Sequence, residues 1–341
     1  MEAATSQAMA SRVALAVGSL SVEYHTRHGV VEAVGDASFD VAEGEALAIV
    51  GESGSGKTAT ALAIAGLLPP NGRISGGSIQ FFGREIVKCS TRERRRMRGR
   101  DIGVVFQNPM TSFNPVLTIG TQLREPIRQH LRLNRADARL RVLTGLDSVG
   151  VTEPSRRLGQ YPHQLSGGMN QRALIAMAIS CNPRLLIADE PTTALDVTIQ
   201  AQVIDLMREL KARRKMTMVW ITHDMGVVAG IADRVAVMYA GRIVEQGSVY
   251  DVYERPAHPY TAALLGAVPR LDRPRSKRLG SPEPEIAQVD RKAGGCIFAS
   301  RCRLTRSECL GEQPPLVTAG SESHLSACLR WSDVTFESQV G

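Results

Sequence analysis

The stretch "AIVGESGSGKT" holds the densest chemistry in the chain. Residues Gly51 to Thr58 fit the pattern G-x-x-x-x-G-K-[ST], set directly after an apolar run and before another. Glycines let successive backbone N–H groups turn inward to form a nest for an anion. Gly51, Ser53, Gly54, Ser55 and Gly56 are therefore expected to cradle phosphates. Lys57 is expected to reach the β- and γ-phosphates of a nucleotide, and the Thr58 hydroxyl to ligate Mg²⁺. A second candidate is "RLLIADEP", where an apolar run leads into Asp189 and Glu190. A carboxylate at the carboxyl end of a buried parallel strand sits where open α/β sheets bind ligands. Asp189 suits the Mg²⁺ shell, and Glu190 is placed to orient and polarise an attacking water.

These groups need strands and helices to hold them. The run "EALAIV" is continuously apolar and ends at a glycine, as a buried strand does. "DIGVVF", "RLLIAD", "TMVWITH" and "RVAVMYAG" read as further strands, separated by helical patterns such as residues 198–214. That alternation predicts βαβ units and a parallel sheet. "LSVEY" and "VEAVGDASFDV" partly alternate and predict a half-exposed antiparallel sheet before it. Residues 118–157 are helical and polar without a strand, which predicts an inserted helical lobe. The Pro-, Gly- and charge-rich stretch 269–295 reads as a linker.

The chain has 341 residues and a net charge of +7, enough for about two domains. Its basic run, "TRERRRMRGR", has no interleaved aromatics for base stacking, so a solvated face is expected there and nucleic acid is not. The first residues lack the apolar core of an export signal, and no window is apolar enough for a membrane span. A reducing compartment is therefore expected, where structural disulfides are rare. Four cysteines nevertheless cluster near the end. Cys296, Cys302, Cys309 and Cys328 are separated by five, six and eighteen residues. That is wider than paired zinc ligands usually stand. Four thiolates suit an iron–sulfur cluster, with zinc or free thiols as the alternatives. Cys89 and Cys181 are isolated and read as ordinary residues.

"LSGGMNQR", residues 165–172, ends 17 residues before Asp189. Ser166 is a good N-cap, so a serine, two glycines and free N–H groups open the helix that follows. The octet resembles the signature motif of ABC ATPases. The other parts stand in that family's order: Gln107 in "VVFQNP", Asp196 in "TTALD" and His223 in "VWITHD". "FQNPMTSFNPVLTIGTQL" and "HPYTAALLGAVP", with the cysteines after a Pro-rich linker, are similar to the ATPase subunits of oligopeptide and dipeptide permeases. Asn170 stands where many members have Arg, and Thr58 replaces a common Ser; neither change removes a phosphate or metal ligand.

The resemblance implies a P-loop ATPase fold: a mainly parallel sheet, an antiparallel β subdomain, an inserted helical subdomain and a small cysteine-rich extension. It implies a disordered N-terminus over 1–12, an ATPase domain over 13–256 with the helical subdomain at about 108–180, and an extension over 257–341. Glu190, His223 and Gln107 become the catalytic set, with Gln107 also a Mg²⁺ ligand beside Thr58 and Asp189. Tyr24, with His28 as the alternative, becomes the residue stacking on adenine. Ser166, Gly167, Gly168 and Gln171 are expected to face ATP held by a second ATPase subunit, in a heterodimer, with Asp196 in the D-loop. Partners would be two membrane permease subunits and an extracytoplasmic binding protein, with the chain peripheral at the cytoplasmic face of the membrane. Its task would be to power import of di- or oligopeptides; a nickel chelate or a glycoside is the alternative cargo, and a soluble ATPase acting on ribosomes or nucleic acid the rival class. Some relatives carry a [4Fe–4S] cluster in this tail. Because the phosphate loop lies in the other domain, replacing Cys302 or Cys309 with Ser is expected to weaken assembly or transport more than ATP binding.

Overall fold

A computed structural model describes residues 12–193, 195–268 and 294–335. The expected disordered N-terminus and the linker therefore fall, apart from Arg12, Gly294 and Gly295, outside the described residues. The strands in chain order are β1 (Val13–Thr26), β2 (Gly29–Ala42), β3 (Ala46–Val50), β4 (Gly72–Phe81), β5 (Arg84–Glu85) and β6 (Ile102–Val105). They continue with β7 (Leu185–Asp189), β8 (Thr217–Thr222), β9 (Arg234–Tyr239), β10 (Arg242–Ser248), β11 (Val317–Ala319) and β12 (Ser321–Ser326).

A four-stranded antiparallel sheet runs β2-β1-β4-β5. Leu15, Val17, Leu20 and Val22 of β1 are buried, which is the alternation seen in the sequence, broken where the register shifts between Val17 and Leu20. An eight-stranded sheet runs β11-β12-β10-β9-β3-β8-β7-β6. From β9 to β6 its neighbours are parallel. Every residue of β3, β7 and β8 is buried. A parallel sheet covered on both faces needs such unbroken apolar strands, because neither face meets water.

The helical lobe is built from helices Ile119–Leu131, Arg135–Ser148 and Gly167–Ala178. Thr118, Asn134 and Ser166 cap them, each side chain accepting a backbone N–H of the first turn. The basic run forms the helix Thr91–Met97, in which only Met97 is buried.

The tail is joined to the main sheet. β12 pairs with β10, matching Ser326 to Glu245, and β11 lies beyond it. Ile297 and Phe298 share a core cluster with Tyr239 and Tyr260. The carboxyl-terminal residues thus complete an edge and a core of the ATPase sheet.

Candidate active site

The strand order β3-β8-β7-β6 decides which side chains meet. These strands are parallel neighbours, so the loops leaving Val50, Thr222, Asp189 and Val105 emerge along one edge of the sheet. Those loops carry the phosphate motif, His223, Glu190 and Gln107. They line one cleft of about 700 Å³ with Glu52, Thr193 and Leu264.

The loop's backbone shape depends on two glycines. Gly51 has φ 155°, and a Cβ there would lie 2.1 Å from the Met238 carbonyl oxygen. Gly56 has φ 106° and would press a Cβ to 2.6 Å from the Ala33 carbonyl oxygen. Helix Lys57–Ala65 starts there, with its N-terminus aimed at the loop. The Lys57 ammonium donates to the carbonyls of Gly51 at 2.7 Å and Glu52 at 2.8 Å, and to Ser55 Oγ at 3.3 Å. Burial lowers its pKa, against the pull of Glu190 and Asp189.

Thr58 Oγ1 donates to Asp189 Oδ1 at 3.2 Å, which brings together a hydroxyl and a carboxylate suited to Mg²⁺. Burial raises the Asp189 pKa, as it must for a carboxyl among few donors. Glu190 accepts from Gln107 Nε2 at 2.8 Å and from Thr193 Oγ1 at 2.9 Å, and shares a 3.1 Å hydrogen bond with His223 Nδ1. Burial alone would push its pKa up; the hydrogen bonds from His223 and Thr193 outweigh that and hold it below the ordinary value. Glu190 also has φ +45°, a left-handed conformation that costs a non-glycine residue energy. The turn is pinned by the Glu190 N–H bond to the Ile221 carbonyl at 2.9 Å.

The predicted catalytic and phosphate residues thus converge, and the remaining candidates lie elsewhere. Ser166 and Gly167 are exposed and do not line this cleft. Gln171 is buried to 1 % exposure, with neither amide atom partnered among the described residues. It sits on the inward helix face with Leu174 and Ile175, three and four residues on, so as placed its side chain does not share the exposed face of Ser166. Asp196 is exposed, and its carboxylate caps the helix Val197–Arg214 by accepting the Ile199 N–H. Tyr24 packs over Gly72, where a Cβ would come within 2.8 Å of its ring, and it does not line the cleft. His28 is exposed in the β1–β2 turn.

The sequence reading missed Glu52, Thr193, Tyr260 and Arg301. Glu52 and Thr193 lie inside quoted motifs, so proximity was the available signal. Tyr260 likewise stands inside "HPYTAALLGAVP" and Arg301 directly before Cys302, but nothing in either stretch points to the phosphate loop. Tyr260 Oη accepts the Glu52 N–H at 2.8 Å. Arg301 grips the Glu52 carboxylate with both terminal nitrogens, each at 3.0 Å, from 249 residues further along the chain. The expectation that the tail stands apart from the phosphate loop is therefore overturned. Sequence distance misled it, because β9 carries Tyr239 to the point where the tail's aromatic cluster packs.

All six cysteines are free thiols. Cys296, Cys302, Cys309 and Cys328 line one small cavity with Phe298, Leu304 and Pro314. Burial pushes the Cys328 thiol up to about 12, and the thiols of Cys296, Cys302 and Cys309 add to the shift. No group of three or more His, Cys, Asp or Glu side chains among the described residues is placed so that it could hold a metal ion.

The profile of the ABC transporter family matches residues 34–193, and that of the oligopeptide/dipeptide transporter C-terminal region matches 244–309. The oligopeptide transport ATP-binding protein of Salmonella typhimurium is 47% identical, over 96% of this chain and 97% of its own. The dipeptide transport ATP-binding protein of Bacillus subtilis is 47% identical, over 92% and 93%. A solved dimeric ATP-binding cassette, bound to ADP and phosphate after hydrolysis, superposes with a TM-score of 0.63 at 26% identity, over 69% of this chain and 98% of its own. No helix among the described residues is long and apolar enough to cross a membrane.

Proposed function

The chain belongs to the oligopeptide/dipeptide family of ABC transporter ATP-binding proteins, and from that premise we infer that it hydrolyses ATP to drive uptake of di- and oligopeptides. One observation carries the catalytic reading: Glu190 stands beside the phosphate loop, oriented by Gln107, Thr193 and His223. In the proposed mechanism the loop N–H groups from Ser53 to Thr58 and Lys57 hold the phosphates. Thr58 and Asp189 would hold Mg²⁺, which neutralises phosphate charge when bound. Ionised Glu190 accepts a hydrogen bond from the attacking water and aligns it, and His223 fixes the carboxylate. Catalysis is then positioning and charge neutralisation rather than covalent chemistry.

Ser166, Gly167 and Gly168, away from the chain's own cleft, are read as facing ATP on a second ATPase subunit, and Asp196 as the D-loop acid between the two. Gln171 would support that helix from within. Tyr24 remains the proposed adenine-stacking residue. The partners proposed are a different ATPase chain, two membrane permeases and an extracytoplasmic binding protein, with this subunit peripheral on the cytoplasmic face. The division into an ATPase domain over 13–256 and an extension over 257–341 is kept as a functional one, since the sheet runs through both. Cys296, Cys302, Cys309 and Cys328 are proposed to hold a [4Fe–4S] cluster, which would cross-link the tail. Zinc is the alternative.

The test is the assembled transporter. Peptide delivered by the binding protein should stimulate ATP hydrolysis, and Ser166→Arg should abolish the stimulation while the lone subunit still binds ATP. Stimulation by a nickel chelate or a glycoside instead of peptide would overturn the substrate. Anaerobically purified protein should hold about four irons per chain, and Cys302→Ser should remove them; one stoichiometric zinc would replace the cluster.

A further inference from the structure

Glu52 is an odd residue for a loop that binds a polyanion. Its carboxylate lines the same cleft as Lys57 and the loop amides, and its charge acts on the Lys57 ammonium. Left unpaired there, it would repel phosphate. The structure surrounds it instead with groups from the carboxyl-terminal part of the chain. Tyr260 takes its N–H, turning that amide away from the anion nest. Arg301 takes both carboxylate oxygens in a fork at 3.0 Å each, the geometry that fits guanidinium to carboxylate best. The Arg301 side chain is only 3% exposed, and Glu52 is 26% exposed. Tyr239 Oη accepts a further hydrogen bond from Arg301 at 3.3 Å, and its ring and that of Phe298 flank the guanidinium at 5.5 and 5.7 Å. Arg301 is placed by a short turn, Ala299–Arg301, whose carbonyl at Ala299 accepts the Cys302 N–H and the Thr305 hydroxyl.

We propose that Arg301 is a positioning residue for nucleotide binding: by clamping and neutralising Glu52 it holds the first turn of the phosphate loop open to a polyphosphate. The proposal rests on the reading of Gly51–Thr58 as the ATP site and adds a member from outside that motif. Without the clamp, the Glu52 carboxylate is free to turn into the cleft, compete for Lys57 and repel the incoming phosphates. An anchor that merely docks the tail would depend on the pair itself. A positioning role depends only on the Glu52 charge being controlled. The two therefore differ in what happens when that charge is removed.

The experiment is a double-mutant cycle on the full chain, with Mg·ATP titrated calorimetrically. Arg301→Ala should raise the Kd about tenfold, the size expected of one uncompensated charge near a bound anion at a half-buried site. Glu52→Gln removes the charge itself, so the double variant should bind as tightly as Glu52→Gln alone, a non-additivity that reports direct coupling. If Arg301→Ala is insoluble, Arg301→Gln enters the same cycle. Unchanged binding by the arginine variant, or a double variant as weak as the single one, overturns the proposal and leaves the ATP site standing. Failure of the wild type to bind Mg·ATP would instead remove the site reading, and this inference with it.

Discussion

Two carboxylates in this chain each take three hydrogen bonds, and they do opposite things. Glu190 is surrounded by Gln107, Thr193 and His223. Glu245, on β10, is surrounded by the N–H groups of Ala257 and His258 and by His324 Nε2, all at 2.8 Å. The Glu190 side chain is 15% exposed and opens on the cleft; that of Glu245 is wholly buried. The donors differ as well. Glu190 is held by side chains from three separate loops, each able to rotate. Glu245 is held by two backbone amides and a buried histidine, which cannot move without unfolding the edge of the sheet. Satisfying a carboxylate therefore does not define its role. Access and the mobility of its donors do: the first arrangement can exchange a donor for a water, and the second can only staple β10 to β12 and to the segment before helix Pro259–Gly266.

The largest effect should come from the carboxylate that faces the cleft. Glu190→Gln keeps the loop and the Thr58–Asp189 pair but removes the charge that orients water, so turnover in the assembled transporter should fall a hundredfold or more, roughly, with ATP affinity retained. Near-normal turnover would put Glu190 in the same structural class as Glu245.

The fixed region should answer to acid instead. His258 is fully buried, its Nδ1 accepts the Tyr260 N–H, and burial lowers its pKa from 6.5 to about 3. The folded state thus refuses a proton that the unfolded state takes up below pH 6.5. Stability from this group is complete above that pH and declines as the pH falls, by about 2 kcal/mol on reaching pH 5. Denaturant titrations of wild type and His258→Asn should diverge at neutral pH and converge toward pH 5. Parallel curves would show that the staple does not sense acid through His258.

A smaller effect sharpens the comparison. Ser326 Oγ donates to the Ala257 carbonyl at 2.8 Å in the buried edge. Ser326→Ala should cost about 1 kcal/mol of stability with no change in ATP affinity. A change in affinity of the same size as that from Arg301→Ala would mean that the tail acts on the loop as a whole rather than through one guanidinium.

The legible parts share a physical cause. A phosphate nest, a strand-end acid pair and a capped glycine pair are local: backbone conformation and a few consecutive side chains make them, so spacing along the chain is spacing in space. That is why Gly51–Thr58, Asp189, Glu190 and Ser166 stand out before any fold is known, and why β3, β7 and β8 announce themselves as unbroken apolar runs. Thr193 and Glu52 lie within those same motifs yet were passed over, because nothing local distinguishes a hydroxyl or a carboxylate that reaches the site from one that faces water. Gln171 shows the reverse: its motif position points outward, but the helix phase turns it into the lobe.

The sequence alone determined the chemistry available to this protein, the order of its strands and helices, and the kind of ligand its loop can hold, because those follow from residue types at short spacing. Only the tertiary structure decided that Gln107, Glu190 and His223 meet, since that depends on β6, β7 and β8 lying as parallel neighbours. Only it could join the tail to the phosphate loop through Arg301 and Glu52 and to the sheet through Glu245 and His324. Pairings across such distances are selected by how the packed strands bring charges together out of water, and no pattern of spacing along a chain encodes which strand will lie beside which.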